Sequence, residues 1–329
     1  MKTCLRACQY ERLGNIRRWQ IHPGKNHFCF NGHCVTGRNL SGAIILLSLI
    51  SLTTIIWLVF ELPILMNELP YNQLILIVGL LLIFYTYIYF FRSMCTEPGI
   101  IQRPSVLERS ILNKKFHLNR ITPDQLNNLI YDIQINDSVV KCKYCITCQM
   151  IRSPRSSHCP ICSNCIAMLD HHCPFLSTCI GMRNYRFFIL FLLCLLQTDL
   201  FFFITSLIQI FISNDKRSFL KSIPTYFILT ITGPSALYTC NLLGYHCMIA
   251  SRALTTREDD KGIYTNENPF NTHRWYLNLA QKLCTSLPPS ACKYVLNICD
   301  RTQLFSIRRR SPFDKSNRIS IDQREYLIE

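Results

Sequence analysis

Acidic residues are scarce in this sequence. Its 329 residues include 20 Asp and Glu against 35 Lys and Arg, giving a formal net charge of +15, and charged residues of all kinds reach only 17%. A basic surplus of this size suits a nucleic acid, but the basic residues are not interleaved with aromatics, which excludes that class of partner. The surplus is instead assigned to the topology of a membrane protein and to anionic lipid headgroups. No internal repeat stands out. The first apolar run begins too late, and is too long, for a cleaved signal peptide.

What the chain has in abundance is apolar sequence: 49% of its residues are hydrophobic and its mean hydropathy is +0.15. Four apolar runs, at about 43–66, 73–91, 187–212 and 225–250, meet or approach the roughly 20 residues needed to cross the hydrocarbon as a helix. They predict an all-α polytopic membrane protein with four transmembrane helices and a cytosolic cysteine-rich, two-zinc domain between the second and third. The expected layout is an N-terminal segment 1–42, helices 1 and 2 within 43–91, a loop 92–186 carrying the cysteine-rich domain at about 142–188, helices 3 and 4 within 187–250, and a C-terminal segment 251–329. Basic residues cluster in the head (Lys2, Arg6, Arg12, Arg17, Arg18, Lys25, Arg38), in the central loop and in the tail. The positive-inside rule therefore places all three, and both termini, in the cytosol. Lys216, Arg217 and Lys221 against Asp215 argue weakly the other way.

That placement governs the reading of 19 cysteines. A loop facing the reducing cytosol keeps its thiols free or binds metal with them. Between Cys145 and Cys179 lie seven cysteines and three histidines, including two Cys-x2-Cys knuckles, Cys145/Cys148 and Cys159/Cys162, then Cys165 and Cys179. Each knuckle delivers two ligands of a zinc tetrahedron from one tight turn. Two zincs need eight ligands; six of these cysteines, His158 and one of His171 or His172 supply them, with Cys142 a bystander. Asp170, the other histidine and Cys173 are then left over, just before the third apolar run. A carboxylate, an imidazole and a thiol are the parts of a nucleophilic site in which the base takes the thiol proton and the carboxylate orients the base. An acyl chain on Cys173 would lie between the helices, each buried methylene contributing about 0.8 kcal/mol, and Arg152, Arg155, Arg183 and Arg186 are available to carrier phosphates or lipid headgroups.

Elsewhere the expectations are plainer. Residues 1–42 read as short strands or irregular structure at the membrane surface, with Cys29 and Cys34 as free thiols. Glu97-Pro98-Gly99 turns the chain along the interface, and 103–140 reads as a polar linker with a short helix in 123–133 begun by Thr122 or Pro123. Asp199, in the third span, is expected to pair with Asn241 or His246 of the fourth, which Gly233-Pro234 kinks. An amphipathic stretch at 275–298 lies on the interface, and a basic tail follows with Arg308, Arg309, Arg310, Ser311 and Pro312.

The stretch 145–188 resembles the cysteine-rich domain of the DHHC family of protein S-acyltransferases, the palmitoyltransferases. The match is carried by both knuckles, Pro154-x-x-x-His158-Cys159, Asp170-His171-His172-Cys173-Pro174, and Cys179-Ile180-Gly181-x-Arg183-Asn184-Tyr185-x-x-Phe188. Glu97-Pro98-Gly99 resembles the family's Asp-Pro-Gly, Thr255-Thr256-x-Glu258 its motif after the fourth span, and four spans are its architecture, so the resemblance covers most of 15–305. It implies one structural zinc on Cys145, Cys148, His158 and Cys165 and a second on Cys159, Cys162, His172 and Cys179. It further implies His171 as general base, Asp170 as its orienter and Cys173 as a nucleophile that accepts the acyl chain of palmitoyl-CoA and passes it to cysteines of membrane-associated proteins. Arg18-Trp19, Pro23-Gly24-Lys25-Asn26, Asn31-Gly32, TTREDDKG and Cys299-Asp300-Arg301 resemble members that act on Ras-type GTPases at Golgi and endoplasmic reticulum membranes, some of which need an accessory subunit. The chain departs from the family at Phe175, where Trp is usual, at Ser177-Thr178, which replace an Asn-rich pair, at Leu169 in place of a common Phe, and at Ser153 in place of a Pro.

Two other functions compete. A membrane-anchored RING-like ubiquitin ligase also interleaves two zinc sites, but it ends on a further Cys-x2-Cys knuckle, whereas only single cysteines follow Cys165. The other is a catalytically silent zinc scaffold.

Overall fold

In the computed structural model the described residues are 18–70, 72–115, 118, 121–135, 138–213, 219–264, 268–290 and 292. The basic residues Lys2 to Arg17, the Asp215–Arg217 loop, most of 291–298, Cys299-Asp300-Arg301 and the Arg308–Pro312 tail lie outside them.

Three described helices are long and apolar enough to cross a membrane: α1 (Ser41–Glu68), α2 (Asn72–Cys95) and one we label α5, whose crossing segment is Tyr185–Ile212. Within α1 the helix widens to a π turn at Trp57–Glu61, directly ahead of Pro63. Proline has no N–H to return to the carbonyl four residues back, and a wider turn absorbs the missing bond. Trp57 is fully buried, stacks on Phe202 at 5.0 Å and donates through Nε1 to Thr205 Oγ1 at 3.0 Å. A Cβ at Gly79 of α2 would sit 2.6 Å from its ring, so glycine sets how closely α1 and α2 approach.

The remaining long helix, α6 (Phe219–Ser251), has 33 residues and contains Pro224 and Pro234. Its threonines, asparagine, histidine and prolines leave it less apolar than the other three, although it packs extensively on α5. The polar groups between the helices find partners. Thr86 and Thr198 share a hydrogen bond of 2.8 Å, and Ser206 Oγ donates to the Glu61 carboxylate at 2.7 Å. Asp199 accepts from Ser235 Oγ at 2.6 Å, so its partner on α6 is neither Asn241 nor His246. The expected residues lie further along the helix, and Ser235 is the hydroxyl that reaches across.

The expectation of an all-α chain is too narrow. Among the described residues, nine short strands accompany the helices, and most build the domain between α2 and α5. The region read as a polar linker is structured. Helix α3 (Val106–Lys115) and the one-turn helix α4 (Pro123–Asn127), capped by Thr122 and Gln125, precede strand β3 (Ile130–Ile135), which pairs antiparallel with β4 (Ser138–Cys145). Alternation of Tyr131, Ile133 and Ile135 inward against polar neighbours is a strand pattern, and it ends the helix at 127 instead of 133. Cys142 packs with Ile133, Ile135 and Val140.

Three consecutive hairpins then follow: β4 with β5 (Met150–Ile151), β6 (Ser157–Cys159) with β7 (Asn164–Ile166), and β8 (His171–Cys173) with β9 (Thr178–Ile180). Their registers superimpose in sequence. Cys145 faces Met150, Cys159 faces Asn164 and Cys173 faces Thr178, at 14-residue steps (145, 159, 173). Gln149, Ser163 and Ser177 take the same left-handed backbone conformation, with φ of 55°, 54° and 51°. A short internal repeat is therefore present, written as CPICSNCI at 159–166 and CPFLSTCI at 173–180. The reading that no repeat stands out is corrected here: the unit is one hairpin long, too short to show as a domain-scale period.

The N-terminal hairpin β1 (His27–Cys29) with β2 (Cys34–Thr36) lies over the second and third of these units. Lys25 N donates to Cys162 O at 2.9 Å and Gly37 N to Ser177 O at 2.6 Å, while Asn164 Nδ2 donates to Asn26 Oδ1 at 2.6 Å and to His22 Nε2 at 3.0 Å. After α2, Glu97 holds the turn: its carboxylate accepts from Gly99 N at 2.8 Å and from Ile100 N, and pairs with Arg183. Beyond α6 come the short helix α7 (Thr256–Asp260) and the amphipathic helix α8 (Trp275–Leu283).

Candidate active site and metal centres

Two groups of donor atoms come together in the hairpin stack. Cys145, Cys148, His158 and Cys165 form one and Cys159, Cys162, His172 and Cys179 the other, each with its ligand atoms within 4.8 Å of one another. Each knuckle supplies two thiols, and the next hairpin supplies a histidine and a cysteine that face each other across its strands, His158 opposite Cys165 and His172 opposite Cys179. In the first group the sulfurs of Cys145, Cys148 and Cys165 stand 3.5, 3.5 and 3.9 Å from His158 Nδ1. In the second, those of Cys159, Cys162 and Cys179 stand 3.8, 3.5 and 3.5 Å from His172 Nδ1. A tetrahedron with metal–sulfur bonds of about 2.3 Å and metal–nitrogen bonds of about 2.0–2.1 Å has edges of roughly 3.6–3.8 Å. Both donor sets fit a tetrahedral metal ion. Hydrogen bonds from Cys148 and Cys165 hold the Cys145 thiol far below its ordinary pKa, and those from Cys162 and Cys179 do the same for Cys159.

Strand β8 sorts the two adjacent histidines. Successive strand residues point to opposite faces, so His172 faces the second donor group while His171 and Cys173 share the other face. His171 Nδ1 lies 2.8 Å from Asp170 Oδ2, and the imidazole also hydrogen-bonds the Cys173 thiol. Burial alone would lower the His171 pKa, but the hydrogen bonds and charges of Asp170 and Cys173 outweigh it and raise it to about 9. Asp170 is buried, which by itself raises a carboxyl pKa; His171, His246 and Thr256 more than offset that and hold it below the ordinary value.

The sequence reading did not assign the residues that hold Asp170. Thr256, at the start of α7, donates to its carboxylate from both the backbone N, at 2.9 Å, and Oγ1, at 2.6 Å. His246 of α6 approaches to 4.0 Å and accepts contact from Tyr185 Oη at 3.3 Å. The rings of His171, Phe188, His246 and Tyr185 interlock edge to face, with Phe188 5.4 Å from His171 and 5.0 Å from His246. Thr255 and Glu258 close a capping box on α7, and Glu258 forms a buried ion pair with Arg155 at 2.6 Å. The signal in the sequence was the Thr255-Thr256-x-Glu258 motif, which marked the segment after α6 but not its target. The other arginines face elsewhere: Arg183 pairs with Glu97 and donates to Pro288 O, and Arg186 donates to Thr285 O.

Cys173 is buried in an apolar cluster that runs into the helices, with Ala43 and Ile50 of α1, Phe90 of α2, and Phe188, Phe191 and Leu195 of α5. Phe175, at the hairpin tip, is 52% exposed. Ser177 accepts from Ala43 N at 3.3 Å, joining the tip of the hairpin to the start of α1. A Cβ at Gly42 would lie 2.2 Å from Pro174 O, so only glycine allows α1 to approach this closely.

The chain is also similar to known proteins. The family model described as DHHC palmitoyltransferase matches residues 139–263. The mouse protein named palmitoyltransferase ZDHHC18 is 33% identical over 285 residues, spanning 83% of this chain and 74% of that protein. The human ZDHHC18 protein is also 33% identical, with 73% of its length covered. The human palmitoyltransferase ZDHHC9 is 31% identical, with 78% covered.

Proposed function

This chain belongs to the DHHC palmitoyltransferase family and is a protein S-palmitoyltransferase, and from that premise we propose that Cys173 is the residue that carries the acyl group. The observation that carries this assignment is Cys173 sharing a strand face with His171, whose other nitrogen meets a buried Asp170 fixed by Thr256.

In the first step the Cys173 sulfur attacks the thioester carbonyl of palmitoyl-CoA. The carbon–sulfur bond to CoA breaks, and the CoA thiolate leaves with the proton that His171 took from Cys173. Asp170 keeps Nδ1 of His171 engaged, so that Nε2 is the nitrogen that exchanges protons with sulfur. In the second step the thiol of a protein substrate gives its proton to His171 and attacks the Cys173 thioester, restoring the free Cys173 thiol. The apolar cluster around Cys173 takes the acyl chain, which is why the reaction belongs at the membrane surface.

Zinc is the ion that suits both tetrahedral sulfur and nitrogen sets, and it is structural there because no position is left open for substrate. Cys145, Cys148, His158 and Cys165 hold one ion and Cys159, Cys162, His172 and Cys179 the other. Helix α6 acts as a fourth span, its polar face turned to α5. Both termini and the hairpin domain then lie in the cytosol, at Golgi or endoplasmic reticulum membranes. Substrates are membrane-associated proteins with accessible cysteines, Ras-type GTPases among them, with an accessory subunit a further partner.

The test is to incubate the purified protein with labelled palmitoyl-CoA and measure hydroxylamine-sensitive label. Label on the wild type and none on Cys173→Ala supports the proposal. A folded, metal-loaded wild type that takes no label, as a silent scaffold would, overturns it.

A further inference from the structure

Three thiols lie together outside both metal clusters and outside the catalytic residues. Cys29 and Cys34 face each other across the N-terminal hairpin, and Cys34, buried on β2, is in hydrogen-bonding contact with Cys95, the last residue of α2. The packing of β2 against the end of α2 makes this contact. Cys29 is exposed and stands further from Cys95, acting on it only through charge. None of the three belongs to a donor group that gathers a metal.

Cys95 also lines a cavity of about 710 Å³ along the last turns of α2, whose walls include Phe84, Tyr87 and Phe91 as well as His33, Arg92 and Arg183. A small polar oxidant therefore has a route to Cys95, with Cys34 waiting beside it. We propose that Cys34 and Cys95 form an oxidation-sensitive disulfide site, separate from the acyl-transfer chemistry. Hydrogen peroxide transfers one oxygen to the Cys95 sulfur, giving a sulfenic acid and water; the Cys34 thiol then attacks that sulfur, and the second oxygen leaves as water. One peroxide is reduced, two thiols are oxidised, and two waters are formed.

The bond has a structural consequence. Cys34 sits in the hairpin that covers the second donor group through Lys25, Gly37 and Asn26. Cys95 precedes the Glu97 turn that is tied to Arg183. Joining them closes the loop 34–95 and fastens the hairpin to the C-terminal end of α2, restraining its opening.

The test uses the full chain in detergent or nanodiscs, treated with limiting hydrogen peroxide, capped with N-ethylmaleimide, digested and read by mass spectrometry, with metal content measured in parallel. The expected result is a Cys34–Cys95 cross-linked peptide that vanishes with dithiothreitol, survives in Cys29→Ser and is lost in both Cys34→Ser and Cys95→Ser, with metal retained. Trypsin should then cut more slowly at the exposed Lys25 and Arg38 in oxidised wild type, with no slowing in Cys95→Ser. Recovery of Cys34 and Cys95 as separate maleimide adducts, a Cys29–Cys34 bridge in their place, or loss of metal before any cross-link would overturn the proposal.

Discussion

The first two hairpin units of the cysteine-rich domain and the third are built alike and furnished differently. Cys145, Cys159 and Cys173 occupy the same place in the three units. Cys145 and Cys159 each have a second cysteine three residues on, Cys148 and Cys162, and each pair takes a histidine and a cysteine from the following hairpin. Cys173 has Leu176 at that position and no hairpin after its own, because the chain enters α5 at Tyr185. Cys173, proposed above as the nucleophile, is thus a knuckle cysteine deprived of its co-ligands, and a thiol not drawn into a metal site is free to react. The second difference lies just upstream, where Ser156-Ser157 in one unit become Asp170-His171 in the next. One hairpin geometry presents either a metal donor set or the proposed catalytic group according to which side chains flank the cysteine.

The comparison breaks most sharply if equivalent cysteines are exchanged for serine. Cys159→Ser should lose a metal ion, lose the domain's near-ultraviolet circular dichroism signal and abolish acyl label, since structural zinc contributes about 10–16 kcal/mol of apparent binding energy to small domains. Cys173→Ser should also lose all label yet keep both metals, measured by plasma mass spectrometry. Equal metal content in the two variants would remove the distinction between the units.

Asp170→Asn comes next, with an expected fall of about 10²- to 10⁴-fold in the rate of Cys173 acylation, the range of general acid–base contributions. The pKa of His171 should drop from about 9 toward the ordinary 6.5, because the carboxylate that holds the proton is gone. In wild type this proton favours the folded state below pH 6.5, and the gain disappears as pH rises through about 9. A pH series of acylation rate and of melting temperature checks both. Thr256→Val, which removes one hydrogen bond to a charged group worth about 1.5–3 kcal/mol, should slow acylation roughly tenfold to a hundredfold.

Arg155 and Glu258 tie the hairpin stack to α7, and through it to Asp170. Arg155→Ala or Glu258→Ala alone leaves a buried charge unpaired and should destabilise the domain by about 3–5 kcal/mol. The double variant should lose less than the sum of the two, measured by thermal unfolding.

The smallest effect is expected at the N-terminal cover. Burial, and then the charge of Arg103, lower the His22 pKa to about 4. Between pH 6.5 and 4 the unfolded chain binds this proton and the folded chain does not, so the stabilisation is complete above pH 6.5 and is lost as pH falls toward 4. Proteolysis at Lys25 should accelerate over that window in wild type, with a flatter response in His22→Gln.

Much of the site could be read locally. The knuckle spacing, the count of donors and the run Asp170-His171-His172-Cys173 are all short-range, because a metal knuckle and a strand are short-range structures. The three strongest spans were legible for the same reason, since twenty apolar residues in a row have few other uses. The strands β3 and β4 were hidden by polar neighbours on their outer face, and the 14-residue repeat by the different ligand residues its copies carry, although CPICSNCI and CPFLSTCI stand in plain sequence.

By itself, then, the sequence determined the inventory: apolar helices, two sets of metal donors, and a carboxylate, an imidazole and a thiol in adjacent positions. Only the tertiary structure decided their partners. His172 turns to the metal donors and His171 to Cys173 because β8 alternates its faces. Asp170 is gripped by Thr256 and approached by His246, both far along the chain and delivered by α7 and α6. Such contacts depend on how separate elements pack, and no local spacing encodes the distance between residues that meet only after the chain has folded back on itself.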